Sequence, residues 1–329
     1  MLIYIARRLV WTVVVLLAVL LITFAVFFLL PNGDPALRFA GKSPTTADLA
    51  LIHHRLHLDK PWYIEFGYFV KNFVTGDKEG GWPGLGYSYG NYVSVKSEII
   101  TRAPRTLWLI AGASILWLTV GVAIGVLSAV KRRTWVDRLS MGVALFGISA
   151  PVFWLGLMSL FVVWKEHLFI PGLHNLTGGS GYVPLSAGID KWASHLILPW
   201  IVLALLYAAI YARMTRNSLL ETLGEDYIRT ARAKGLSERR VIFRHGLRAS
   251  LIPIVTLFGL DVALLVGGAI ITETVFNLQG LGWLAITGAT TQDLPTVLGV
   301  VLCTATAVAL MNLVVDIVYA FLDPRVRYS

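Results

Sequence analysis

The chain has 329 residues, is 56% hydrophobic and has a mean hydropathy of +0.70, far above a soluble domain and in the range of polytopic membrane proteins. Its one cysteine, Cys303, excludes an internal disulfide framework and a cysteine-based metal site. The formal net charge of +9 falls largely in loops beside apolar runs, a pattern of membrane topology and not of nucleic-acid binding.

The first apolar span is Leu9 to Leu30, preceded by Arg7-Arg8. At about 22 residues it is too long for the apolar core of a signal peptide, and no small-x-small cleavage site follows. It is expected to be a retained helix, long enough for roughly 30 Å of hydrocarbon. Residues 31–103 form a long polar segment. The pattern predicts a helix over Thr46–Leu58 and an amphipathic helix over Trp62–Phe73, then a Gly/aromatic stretch from Gly76 to Tyr92 with turns and a contact surface. Gly41-Lys42-Ser43 resembles the end of a phosphate-binding loop, but Ala36 stands where that motif needs its first glycine and no strand leads into it. ATPase activity in this chain is rejected on that basis. His53 and His57 are spaced i, i+4 and could share a metal on a helix. No third ligand is evident, so a solvated face is the better reading and no metal site is assigned.

Four more spans follow before the last: Leu107–Val130, Leu139–Trp164, Leu196–Ala212 and Leu251–Ile271, with the sixth at Thr296–Phe321. Pro151 and Pro199 are candidates for kinks that widen a central cavity. Gly121-x-x-x-Gly125 and Gly267-Gly268 are small-residue patterns that close helix packing explains. Segments 1–8, 131–138, 213–248 and 322–329 together hold 17 Lys/Arg, against 2 in the two short loops on the opposite side. The cation bias places both termini and the basic loop in the cytoplasm. The long segment after the first helix lies outside. The Gly76–Tyr92 stretch is therefore expected on the extracytoplasmic surface.

The basic loop is the most informative stretch. It carries nine Lys/Arg from Arg213 to Arg248, and Gly235 separates a helix starting at Asp226 from a second short helix expected over Glu238–Leu247. A solvated basic loop that only fixes topology is one reading. Small residues (Ala231, Ala233, Gly235) and interleaved apolar ones (Tyr227, Ile228, Leu236, Val241, Ile242, Phe243) argue instead for a docking knob on the cytoplasmic face.

Two ionisable residues lie within spans, where charge is costly and functional by default: Asp261 and Asp316. For Asp316, with Asn312 one turn earlier, interhelix hydrogen bonding is the favoured reading. Asp261 stays open between that role and a place on a translocation path.

These stretches resemble the dipeptide/oligopeptide/nickel family of ABC-importer permeases. Tyr227-x-Arg229-Thr230-Ala231-Arg232-Ala233-Lys234-Gly235-Leu236-Ser237, followed by Arg244-His245-x-Leu247-Arg248 and Leu251-Ile252-Pro253, matches that family's form of the EAA loop closely. Against the general EAA pattern it is partial. Arg229 and Thr230 replace Glu and the first Ala, and His245 and Arg248 stand for Ile and Pro. Leu30-Pro31-x-Gly33-Asp34-Pro35, Gly76-Asp77, Glu273-Thr274-Val275-Phe276 with Gly280-Leu281-Gly282, and Asn312 to Asp316 with Leu322-Asp323-Pro324-Arg325 are similar to B-type subunits of peptide permeases. Two departures, the long Gly/aromatic stretch after Asp77 and Asn277-Leu278-Gln279 in place of Ser-Trp-Pro, bear on a binding-protein interface.

The resemblance implies an all-α fold of six transmembrane helices of the type I ABC-importer kind. It divides the chain into an N-terminal helix (1–30), an extracytoplasmic segment (31–103), a transmembrane domain (104–322) with its coupling loop at about 213–250, and a cytoplasmic tail (323–329). It implies a bacterial inner-membrane permease without catalytic residues or a cofactor of its own. Partners would be a second homologous permease, two ATPase subunits or domains that bind ATP and Mg, and an extracytoplasmic binding protein. The implied coupling residues are Ala231 and Gly235 for close packing, and Asp226, Tyr227, Arg229, Lys234 and Glu238 for polar contact. Cargo is expected to be a di- or oligopeptide. Nickel or another small solute is the alternative within the class, and an ion-coupled transporter or channel using Asp261 and Asp316 the alternative outside it.

Overall fold

In hydrocarbon a backbone must satisfy its own hydrogen bonds, so each long apolar run becomes a helix. The computed structural model describes residues 2–29, 34, 36–39, 45–76, 81–88, 93–164, 177–266 and 269–322. Helix α1 (Leu2–Phe24) continues as a π-helical turn, Ala25–Leu29. Outside it come α2 (Ala36–Phe39), α3 (Thr46–Leu56) and α4 (Trp62–Thr75), then a small antiparallel ladder of β1 (Tyr87–Ser88) and β2 (Val93–Ser94). The membrane body follows: α5 (Val95–Val130), α6 (Trp135–Ser149), α7 (Val152–Ser159, extended by a π turn to Trp164) and α8 (Ile189–Thr222). The chain then runs through α9 (Asp226–Ala233), α10 (Glu238–Arg240), α11 (Leu247–Val266), α12 (Ile270–Val275), α13 (Leu281–Thr290) and α14 (Leu294–Leu322).

Five helices among the described residues are long and apolar enough to cross a bilayer, and a sixth crossing results if the bent α6–α7 pair counts as one span. The third expected span, Leu139–Trp164, is not one rod. Its two halves meet at 97°. Proline drives its predecessor out of the helical region, and Ala150 is extended (φ −81°, ψ 127°) with Pro151 opening α7. Pro199, the other candidate kink, lies inside α8, which runs on through it. The short helix expected over Glu238–Leu247 is likewise not separate. After α10 a π-helical stretch, Val241–Gly246, merges with α11 into one 29-residue helix, Glu238–Val266. The fifth span ends at Val266, earlier than expected. Gly267-Gly268 lie outside the described residues.

The core forms where α5, α8 and α11 meet. Trp117, Leu109, Leu196, Tyr211 and Ile254 are fully enclosed there. The α5–α8 contact is the closest. A Cβ on Gly121 would lie 2.7 Å from Tyr211 Cβ, and one on Gly125 2.6 Å from the Ala212 carbonyl oxygen. The missing side chains let the two backbones approach.

A second core joins α1 to α14 and to the outer segment. Phe24 stacks on Phe28 at 5.0 Å, and both meet Phe69 of α4. Helix α3 begins with a capping box between Thr45 and Asp48, and α4 carries its apolar side toward α1, as its pattern predicts. His53 Nε2 lies 2.7 Å from Asp34 Oδ2, whereas His57 ends α3 in a left-handed conformation and packs on Tyr68. The two histidines are therefore engaged separately. Residues 41–43, the rejected phosphate-loop resemblance, lie outside the described residues.

Candidate coupling loop and intramembrane site

Helix α9 has eight residues, too few to stand alone in water. It is held by one apolar side. Ile228, Ala231 and Val241 are buried together, with Leu223 and Leu236 against them. The close packing of Ala231 is thus within the chain's own loop. Gly235 sits at φ +76° with open space around it, so it is needed for the left-handed turn and not for a tight contact. Arg232 Nη2 and Nε donate to the two carboxylate oxygens of Glu238 at 2.8 and 3.2 Å, a fork that braces the helices on either side of that turn. Glu238 is in this way spent inside the loop. Asp226 accepts from Arg229 at 3.3 Å, an exposed pair of small energetic weight.

The outward surface of this unit carries Asp226, Tyr227, Arg229 and Lys234, with Tyr227 46% exposed, and Phe243, 54% exposed, lines a groove between α5 and α11. Partial burial, with the neighbouring Glu225 carboxylate, holds the Tyr227 phenol above its ordinary pKa. Of the interleaved apolar residues, Ile228, Val241 and Ile242 build the interior, while Tyr227 and Phe243 face out.

A cavity of about 1060 Å³ runs from this unit along the groove between α5 and α11. Its walls include Val122 and Val126 on one side and Leu247, Leu251 and Ile254 on the other, with Glu238 and Arg239 at the loop end. Beyond it stands Asp261, half-buried, whose Oδ2 accepts from the Tyr211 hydroxyl at 2.7 Å. Asn312 lies on an exposed face of α14 and makes no interhelix hydrogen bond among the described residues. Asp316 is in the same helix, and its side chain lies outside the described ones.

Two polar clusters escaped residue-by-residue reading. Glu273 is fully buried on the outer side. It accepts from Thr106 Oγ1 at 2.5 Å and from the Trp283 N–H at 2.9 Å. Burial pushes its carboxyl upward, against these bonds and one from the Gly282 N–H. A Cβ on Gly280 would lie 2.6 Å from Glu273 Oε1, so the Gly-Leu-Gly turn is cut to the shape of the carboxylate. The Arg102 guanidinium lies over the Trp283 ring, and Arg105 donates to the Gln279 carbonyl at 3.3 Å. Near the opposite end, Asp137 is buried and takes Arg216 Nε at 2.7 Å and Nη2 at 2.9 Å as well as the Ser128 hydroxyl, tying α5, α6 and α8 together. A lone acid inside the basic run 131–138 was the signal for it. For Glu273 the signal was an acid next to an apolar run with no cation nearby.

Profiles of known families match nearly the whole chain. Residues 121–328 match the binding-protein-dependent transport system inner membrane component, and residues 1–110 match the N-terminal part of such membrane components. The dipeptide transport system permease protein of Alkalihalophilus pseudofirmus is 37% identical over the full length of both chains. The glutathione transport system permease protein of Escherichia coli O6:H1 is 40% identical, again over the whole of both. Among solved structures, the inward-facing MetNI methionine ABC transporter aligns with a TM-score of 0.52 at 20% identity, over 69% of this chain and 97% of that one, a likeness of fold alone. With matching profiles over both parts and full-length relatives, the chain belongs to the family of inner membrane components of binding-protein-dependent transport systems, an all-α permease with the type I ABC-importer fold.

Proposed function

We propose that this protein is one of two different permease subunits of an ATP-driven importer that takes up di- or oligopeptides. The observation that carries the cargo is the end-to-end relation to permeases named for a dipeptide and for glutathione, itself a tripeptide. In this reading a second permease completes the path, two partner ATPases bind ATP and Mg, and an extracytoplasmic protein delivers the peptide. The chain itself is non-catalytic. The cation bias supports a bacterial inner-membrane location with both termini and the α9 unit in the cytoplasm. Closure of the ATPases would drive the α9–α10 unit, and because α10 is one helix with α11, the push would pass into the groove wall.

The test is co-purification from intact membranes with an ATPase-activity readout. Wild type is expected to bring down an ATPase. Gly235→Arg, which strains the left-handed turn and adds a bulky cation to the outer face, is expected to cut peptide-stimulated hydrolysis at least tenfold. Absence of any ATPase from the wild-type complex would sink the reading.

A further inference from the structure

Asp261 places an ionisable carboxyl where charge is expensive. Its partner is a neutral donor, the Tyr211 hydroxyl at 2.7 Å. No Lys, Arg or His among the described residues pairs with it. Tyr211 is fully buried in α8, with the backbone of Gly121 close against its Cβ. It holds Oδ2 and leaves the second carboxylate oxygen for another donor. Helix joining alone does not need a charge here, since an amide would accept the same bond.

Rings from three helices pack beside its partner Tyr211, whose ring lies 6.4 Å from that of Trp117. Trp117 of α5 stacks on Tyr207 of α8 at 4.6 Å, and lies 6.1 Å from Phe258 of α11. Phe258 stands one turn before Asp261. An unneutralised carboxylate beside electron-rich ring faces is the chemistry that receives an organic ammonium. Its position fits a moving cargo. Leu247, Leu251, Ile254, Phe258 and Asp261 follow spacings of four and three, so they share one face of α11. The first three line the groove, and Asp261 is seven residues, or about 10 Å, beyond Ile254. It therefore lies on the helix face that lines the groove, about two turns beyond the last residues of the lining.

We propose that Asp261, steered by Tyr211 and walled by Tyr207 and Phe258, binds the α-ammonium group of the transported peptide within the membrane. This rests on the peptide-importer reading above. Dipeptides and glutathione both carry a free α-ammonium, so one carboxylate would serve cargo of differing side chains.

The experiment is uptake by the intact complex, with its ATPases and binding protein, in proteoliposomes. A dipeptide and its N-acetylated form are compared at concentrations where the wild-type complex takes up both. Asp261→Asn keeps the acceptor for Tyr211 and removes the charge. It is expected to lower uptake of the free dipeptide at least tenfold and of the acetylated form less than threefold, with Asp261→Glu recovering at least half of wild-type uptake. Equal losses for the two cargoes, wild-type uptake by the Asn variant, or equal impairment by Asn and Glu would overturn the site. No peptide uptake by the wild-type complex overturns the peptide reading and the site with it.

Discussion

Glu65 shows what one misplaced charge does to a membrane protein's surface segment. It lies on the buried side of α4, 8% exposed, and its Oε1 has no hydrogen-bond partner. Burial alone pushes its carboxyl from 4.5 up to about 7. The folded protein therefore holds a proton between these values that the unfolded chain has released. Stability then falls as pH rises through that window. Replacing the acid by Glu65→Gln removes the effect. The variant is expected to match wild type near pH 4 and to exceed it by roughly 1–3 kcal/mol at pH 8. Thermal unfolding of both proteins in detergent across this range checks it; parallel curves for the two would reject a buried, proton-holding Glu65. The sequence did not single out this residue, because an acid in an amphipathic helix reads as part of the polar face. Asp261 was legible, since an acid in a 20-residue apolar run has no bland surface to belong to. Glu273 fell between the two cases, visible as part of a motif but not as a buried clamp on Gly280 and Thr106.

Helices were legible where one physical term dominates. Apolar length located five of the crossings, and the helix-like pattern of α3 and the amphipathic pattern of α4 located the outer helices. Boundaries that depend on neighbours were not legible. Helix α11 runs unbroken into the loop because Gly246 packs under Leu219 and Leu223 of the α8 end, a contact that no local pattern encodes. The glycine spacing in α5 was a weak signal on its own, and the partner decides its meaning. A Cβ at Gly125 would meet Thr215 Cβ at 2.5 Å and the Ala212 carbonyl oxygen at 2.6 Å, and backbone cannot swing aside. Gly142 of α6, by contrast, has nothing within 4 Å of its Cβ position. Gly125→Ala is expected to destabilise by about 1–3 kcal/mol through overpacking. Gly142→Ala is expected to be neutral or slightly stabilising, since alanine is the better helix former. Chemical denaturation of the two variants side by side reads the difference, and equal stability would mean that α5 and α8 do not meet at this register.

At the scale of the molecule, the segment that follows α1 and the α9–α10 unit are both tied to the spanning helices, and at opposite ends. The Gly/aromatic stretch, read from sequence as turns and a contact surface, is anchored in its described part. Ser88 donates to Asp293 at the head of α14, a Cβ on Gly86 would touch Pro295, and Leu85 packs where Gly299 leaves room. Trp82 remains 66% exposed, its indole N–H donating to the Val74 carbonyl at 2.7 Å. Between this end and Lys131 lies α5, 36 residues or about 54 Å of helix. That exceeds a hydrocarbon core of roughly 30 Å, so the two ends emerge in different compartments. With the basic loop inside, Trp82 must face out and Lys234, exposed beyond α9, must face in. In a Cys303→Ala background, Trp82→Cys is expected to react with a membrane-impermeant maleimide on intact spheroplasts. Lys234→Cys is expected to react only after permeabilisation. The reverse pattern would invert the chain in the membrane, and with it the assignment of the α9–α10 unit as the part that meets an ATPase. Reaction of both sites from outside would instead place an even number of crossings between them, and the bent α6–α7 pair, whose halves diverge by 97°, would then be a re-entrant hairpin and not a span.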